Sequence, residues 1–301
     1  MMMAPDIFDI EARWPRPHRF IWVLGFSLAL FLLFEFGWGA FREGTLIPGI
    51  LFTGSFAVPI SAVVLFDEFN IRRNVPLKDV VLLVLLGGVL SLLLSLCLLH
   101  FDQVLFSALK IPPAWHDCVR APLEELAKLV VVILVARRAQ YRYHLNGLLF
   151  GAAVGAGFAS FESAGYALNS CLNAIVECMN EEVTDGIAIL GKGVEAAEGE
   201  IIARGMLSPF MHVAWSALAC AGLWMAKGDG QIRLPTVVNW RFLLLGSVAV
   251  ALHMTWNAPF EFPYYGKYVL LGMVAWAAIL CVVGCGVRQI RRKQDAVLEC
   301  V

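Results

Sequence analysis

The chain has 301 residues, 59% of them hydrophobic and only 16% charged, with mean hydropathy +0.74. Soluble domains run near 45–50% apolar and about 25% charged, so these values exclude a water-soluble globule, a disordered chain and a nucleic-acid-binding module. The formal net charge of −1 says nothing about partners; where the charges fall along the chain does.

Apolar stretches of about twenty residues recur from end to end and predict an all-α, polytopic membrane bundle of about eight transmembrane helices. In chain order the expected spans are Phe20–Ala40, Leu46–Phe66, Val80–Leu99, Pro113–Ala136, Leu145–Leu168, Met206–Ala226, Phe242–Ala258 and Tyr268–Val287. The whole chain, 1–301, reads as one integral-membrane domain. The N-terminus does not read as a cleavable signal, because Arg13, Arg16 and Arg19 precede a long apolar run that ends without a small-residue cleavage site.

Orientation follows from the basic residues. With both termini cytoplasmic, sixteen of the 23 Lys and Arg fall in inner segments, among them Arg72, Arg73, Arg137, Arg138, Arg233 and Arg288. Outer segments hold Arg42, Lys110, Arg120, Lys192, Arg204 and Lys267. The positive-inside rule therefore gives an N-in, C-in protein of the cell (inner) membrane. An acidic outer loop over residues 171–204 carries Glu177, Glu181, Glu182, Asp185, Glu195, Glu198 and Glu200, and is expected to be a solvated, partly helical lid. Cys171 and Cys178 lie in that loop and could pair only if it faces an oxidising compartment. Cys281 and Cys285 sit in a span free of other metal-ligand residues and read as packing residues.

The chemistry lies in polar residues that an apolar span should not contain. Glu124, Glu125 and Lys128 occupy one span, Glu162 the next, His212 the next, and His253 with Asn257 the one after. An ionisable group at the bilayer centre costs at least about 2.5–3.5 kcal/mol, so four consecutive helices accepting it points to one shared cavity. At about 1.5 Å rise per residue, Glu124, Glu162, His212, His253 and Asn257 lie roughly 18–27 Å from the inner-side basic or histidine residue of their own helix. All five thus reach the outer half of the bilayer. Glu124 and Glu125 stand four and three residues before Lys128, so the lysine can neutralise one carboxylate and leave the other as a base.

Such a set suits hydrolysis of an amide by activated water. A glutamate takes the proton while imidazoles or a metal stabilise the oxyanion. A glutamate with two histidines also matches the three protein ligands of a catalytic zinc, here Glu162, His212 and His253. The chain has no His-Glu-x-x-His helix, no Gly-x-Gly-Asp pattern and no Gly-x-Ser-x-Gly elbow; Gly54-Ser55 reads as helix packing. Two other classes stay open, a proton- or ion-coupled transporter and a non-catalytic scaffold or immunity protein. The transporter predicts ionisable groups spread along a pathway, and here they gather at one depth.

Four ordered blocks carry a family resemblance: Glu124-Glu125-Leu126-Ala127-Lys128, Phe158-Ala159-Ser160-Phe161-Glu162, His212-Val213-Ala214-Trp215 and His253-Met254-Thr255-Trp256-Asn257. Over roughly residues 114–258, within the catalytic helices of 113–258, the chain resembles the PrsW intramembrane proteases, distant relatives of the CAAX-prenyl-protease and bacteriocin-processing family. Phe158-x-x-x-Glu162 stands where the CAAX relatives carry a histidine, and Lys128 where they carry an arginine one position later. The resemblance implies a membrane protease that makes the first, extracytoplasmic cut in a regulated cascade. Its implied partners are the lipid bilayer and a single-pass membrane substrate of the anti-sigma-factor type. It implies site residues Glu124, Glu125, Lys128, Glu162, His212, His253 and Asn257, acting as a glutamic-type protease or as a metalloprotease. Glu124 is expected as general base, Lys128 as partner of Glu125, and Asn257 as a supporting donor.

Overall fold

The computed structural model describes residues 14–136, 140–181 and 184–299. Arg13, Arg137, Arg138 and Glu182 lie outside them. Twelve helices are present among the described residues, and no strand. They are α1 (Arg19–Phe41), α2 (Ile47–Phe69), α3 (Leu77–Leu82), α4 (Gly88–Leu99), α5 (Asp102–Leu109) and α6 (His116–Ala136), followed by α7 (His144–Asn180), α8 (Gly186–Leu207), α9 (His212–Lys227), α10 (Leu234–Val237), α11 (Trp240–Asn257) and α12 (Gly266–Leu298). A π-helical turn, Leu83–Gly87, joins α3 to α4 in one continuous span.

By length and apolarity alone six helical stretches qualify to cross a membrane: α1, α2, α3–α4, α7, α8–α9 and α12. α6 and α11 fall short, and they are two of the helices that hold the buried polar residues. Glu124, Glu125 and Lys128 depress the apolar character of α6, and His253 and Asn257 that of α11. The chain is an integral, multi-pass membrane protein. α1 has no buried residue in its apolar window and forms the rim, while α7 is largely enclosed and forms the axis.

α7 departs most from the sequence expectation. It runs unbroken for 37 residues to Asn180, about 55 Å at 1.5 Å per residue, well beyond the span expected to end at Leu168. α8 returns antiparallel along its outer half, so the acidic segment is a helical hairpin and not a loose loop. Its apolar face is sealed against α1 and α2 through Trp38, Ile50, Ala167, Cys171, Val194, Ala197 and Ile201. Asp185 caps α8, accepting from the N–H groups of Ile187 and Ala188. Cys171 and Cys178 are free thiols seven residues apart on α7. Two helical turns separate them by about 10 Å, beyond the span of a disulfide. Glu35, a further carboxylate in the first span, faces Glu198 of α8.

Small residues fix the central contact. Gly147, Gly151 and Gly155 form a stripe at four-residue spacing on α7, and α9 lies directly on it. A Cβ on Gly151 would stand 2.1 Å from the Ser216 carbonyl oxygen, and one on Gly155 2.3 Å from that of His212. On another face of α7, a Cβ on Gly157 would stand 1.9 Å from the Val84 carbonyl oxygen. Close backbone approach on both sides is what brings Glu162 of α7 level with the start of α9. At the opposite end, Glu68 of α2 accepts from the backbone N–H groups of His18, Arg19 and Phe20, satisfying the otherwise open first turn of α1.

Gly151→Ala should destabilise the bundle by about 1–3 kcal/mol, because the clash is with backbone. Gly199→Ala, on α8 with nothing within 4 Å of the new Cβ, should stabilise it by about 0.5–1 kcal/mol. Thermal unfolding of the two variants in detergent checks both signs.

Candidate active site

Four helices and one break build the site. Pro122 lies inside α6, and Glu124, Glu125 and Lys128 follow it within two turns. The descending arm α8–α9 is interrupted by the turn Ser208–Phe210 and by Met211, whose φ of −107° and ψ of −128° end one helix before the next begins. Trp276 of α12 holds this turn by donating its indole N–H to the Pro209 carbonyl at 3.2 Å. The break puts His212 in the first turn of α9, opposite Glu162 and against the α11 residue His253.

Glu125 is the hub and is 1% exposed. Its Oε1 accepts from Lys128 Nζ at 2.6 Å and from His253 Nδ1 at 3.0 Å, and its Oε2 accepts from Ser216 Oγ at 3.3 Å. Lys128 Nζ also donates to His212 Nδ1 at 2.8 Å and lies 4.3 Å from the centre of the Phe158 ring. With Nδ1 of His212 accepting, its Nε2 carries the proton and donates to Glu162 Oε2 at 3.1 Å. By the same reasoning His253 donates through Nδ1, so its Nε2 presents a lone pair. That nitrogen faces Glu124 Oε2 at 3.7 Å. The Trp215 ring stacks on His253 with centroids 4.2 Å apart and planes 21° from parallel, fixing the imidazole's tilt.

Glu124 Oε2 is buried and has no hydrogen-bond partner among the described residues. A buried acceptor without a donor is costly and calls for an explanation. Ligand atoms of Glu124, His212 and His253 all lie within 4.8 Å of one another. The oxygen, nitrogen, nitrogen donor set suits zinc, and a histidine whose far nitrogen is tied to a carboxylate is the usual outer support of such a ligand. Three carboxylates, Glu124, Glu125 and Glu162, outnumber the two basic side chains Lys128 and Arg204 in the cluster. Glu124 Oε2 and His253 Nε2 are free to hold a divalent metal, and His212 joins them only by giving up Lys128 at Nδ1 or its proton to Glu162 at Nε2.

The sequence-derived set is brought together with two differences. The gathered group contains Glu124, whereas the sequence expectation placed Glu162 with the two histidines. Glu162 is instead engaged by Arg204, whose guanidinium donates to Oε2 at 2.5 Å and to Ser163 Oγ at 3.1 Å. Asn257 does not reach the cluster; its Nδ2 donates to the Asp117 carbonyl at 3.2 Å and ties the end of α11 to the start of α6. Sequence reasoning missed Arg204 by counting it with the outer loop. The available signal was its position in the last turn before the Pro209 break.

Glu124 and Glu162 both open onto a cleft of about 380 Å3 between α4, α6 and α7. Leu92, Leu96, Phe158, Phe161 and Tyr166 line it together with Ser95, Asp117, Arg120 and Asn169, so a mixed apolar and polar approach ends on two carboxylates.

An all-helical membrane bundle with carboxylates, imidazoles and a lysine buried in one cluster is an arrangement that suits an intramembrane hydrolase. Residues 75–283 match the family described as PrsW family intramembrane metalloprotease, and the chain belongs to that family of membrane proteases. No curated protein and no solved structure matches the chain.

Lys128→Met should cost about 3–5 kcal/mol by leaving the Glu125 carboxylate buried without its cation. Adding Glu125→Leu to the same chain should restore most of that stability, since both charges are then gone. A double-mutant cycle by thermal unfolding reads the recovery, and the doubly substituted protein should be inactive.

Proposed function

We propose that this protease is a zinc-dependent endopeptidase in which Glu124, His212 and His253 hold the ion and Glu162 is the general base. The observation that carries the proposal is the unpartnered Glu124 Oε2 facing the lone pair of His253 Nε2. When bound, zinc supplies a Lewis acid that polarises the scissile carbonyl and acidifies water. Glu162 takes a proton from the attacking water and returns it to the departing amine. Arg204 fixes the Glu162 carboxylate on the cleft side, and the Glu125–Lys128 pair fixes both imidazoles. Phe158 and Phe161 shield the site from bulk water, strengthening each electrostatic contact within it.

The substrate in this reading is a single-pass membrane protein of the anti-sigma-factor type. It approaches from the lipid through the cleft between α4, α6 and α7. In the orientation expected from the basic residues this cleft lies in the outer half of the bilayer, which supports a cut near the extracytoplasmic side. A second reading is favoured by one observation, the Lys128 ammonium 2.8 Å from His212 Nδ1. That positive charge opposes cation binding. It suits a metal-free mechanism in which Glu124 is the base and the imidazoles stabilise the oxyanion.

Metal content separates the two. In the zinc reading the purified full chain carries about one zinc per molecule. Glu124→Gln and His253→Ala lose it together with cleavage of a single-pass substrate, while Glu162→Gln keeps the metal and loses at least about a hundredfold in rate. Glu124→Gln protein that retains stoichiometric metal would return the base role to Glu124. Activity that survives complete removal of metal would overturn the zinc reading.

A further inference from the structure

A second cavity lies at the other end of the bundle, where the inner ends of α9, α11 and α12 meet the start of α7. Its volume is about 800 Å3, within the range of ligand-sized pockets. The floor is apolar, made by Met225, Leu244, Leu245, Ala278 and Val282, and the rim is cationic, made by Arg241, Arg288, Arg292 and Lys293. Leu244 is 55% exposed and Cys281 is exposed as well, so the groove opens sideways into the surrounding lipid.

The order of chemistry along α12 is informative. Ala278, Val282 and Cys285 lie on one face, and Arg288 and Arg292 continue that face at four-residue spacing about one turn further on. Trp240 stands beside the rim, 67% exposed, with the Arg241 guanidinium 5.6 Å from its ring centre. An exposed tryptophan at this position marks the depth of the membrane interface. Of the four cations only Lys293 has a carboxylate partner among the described residues, Asp229, which it holds below the usual carboxylate range by hydrogen bonding. Among the described residues the Arg241 guanidinium donates to the Met225 carbonyl at 3.4 Å and the Arg288 guanidinium to the Cys285 sulfur at 3.3 Å. His144, on the same wall, has a buried Nδ1 without a hydrogen-bond partner.

We propose that this groove is a binding site for an anionic phospholipid, with the acyl chains on the apolar floor and the phosphate held by Arg241, Arg288 and Arg292. Apolar length followed by a negative headgroup is the complement of a floor followed by unneutralised guanidiniums. Arginine forks match phosphate oxygens two at a time. Basic pockets between transmembrane helices on the cytoplasmic side bind such headgroups. The site is remote from the Glu124 cluster and does not depend on the zinc reading.

The test uses the full chain in detergent, with equimolar phosphatidylglycerol and phosphatidylcholine added and retained lipid counted by native mass spectrometry. Wild type should keep phosphatidylglycerol over phosphatidylcholine by at least about tenfold, given about fivefold for each cation near a headgroup. Arg288→Ala/Arg292→Ala, both exposed and safe for folding, should lose that preference by about tenfold or more. Arg288→Lys/Arg292→Lys should keep most of it. Arg291→Ala removes a like charge from the same helix but not from the groove, and should change nothing. Excess inorganic phosphate should not displace the lipid. Equal retention of the two lipids, an unaltered Arg288→Ala/Arg292→Ala protein, or full displacement by phosphate would each overturn the proposal, the last by revealing a site for free anions.

Discussion

A carboxylate in the middle of a membrane protein must be neutralised or hydrogen-bonded on every side, and Glu125 meets that demand through three helices at once. Lys128 lies one turn along on α6, His253 comes from α11, and Ser216 from α9. Removing Lys128 leaves a charge unpaired in low dielectric, among the most expensive single defects a protein can carry, and removing His253 or Ser216 leaves the carboxylate short of a donor. The orientation of every neighbouring group follows from this pairing. Lysine on one nitrogen of His212 directs its other nitrogen at Glu162, and Glu125 on one nitrogen of His253 directs its other at Glu124.

The glycine stripe on α7 is the packing counterpart of that constraint. Hydrogen bonds of about 3 Å between α7, α9 and α6 require backbones closer than ordinary side chains permit. Gly151 and Gly155 remove the obstacle on the α9 side, and Gly157 and Gly88 on the α4 side. These glycines let α7 carry the Glu162 carboxylate into the centre of the bundle.

The membrane class and the helical architecture were legible in the sequence, and so was the gathering of Glu124, Glu125, Lys128, Glu162, His212 and His253 into one candidate site, because a buried charge is conspicuous in an apolar run. Pairing within a helix was legible too, since three- and four-residue spacings share a face. The rotation of one helix against another was not. Whether Glu124 or Glu162 joins the two histidines depends on the phase of α6 and α7 about their axes, which no spacing within either helix encodes. Arg204 was hidden for a related reason: it belongs to a helix that becomes visible only once α7 is known to continue to Asn180. Asn257 shares a face with His253 but lies at the helix end, where its amide finds the Asp117 carbonyl first.

The central claim is that Glu124, His212 and His253 form one metal centre with room for a fourth ligand. Zinc K-edge absorption spectroscopy of the purified, active full chain tests it most directly. The account predicts one zinc per chain with two imidazole nitrogens and carboxylate or water oxygen at about 2.0–2.2 Å, and no sulfur. A spectrum showing thiolate ligation, or an active chain with no zinc to measure, would contradict it.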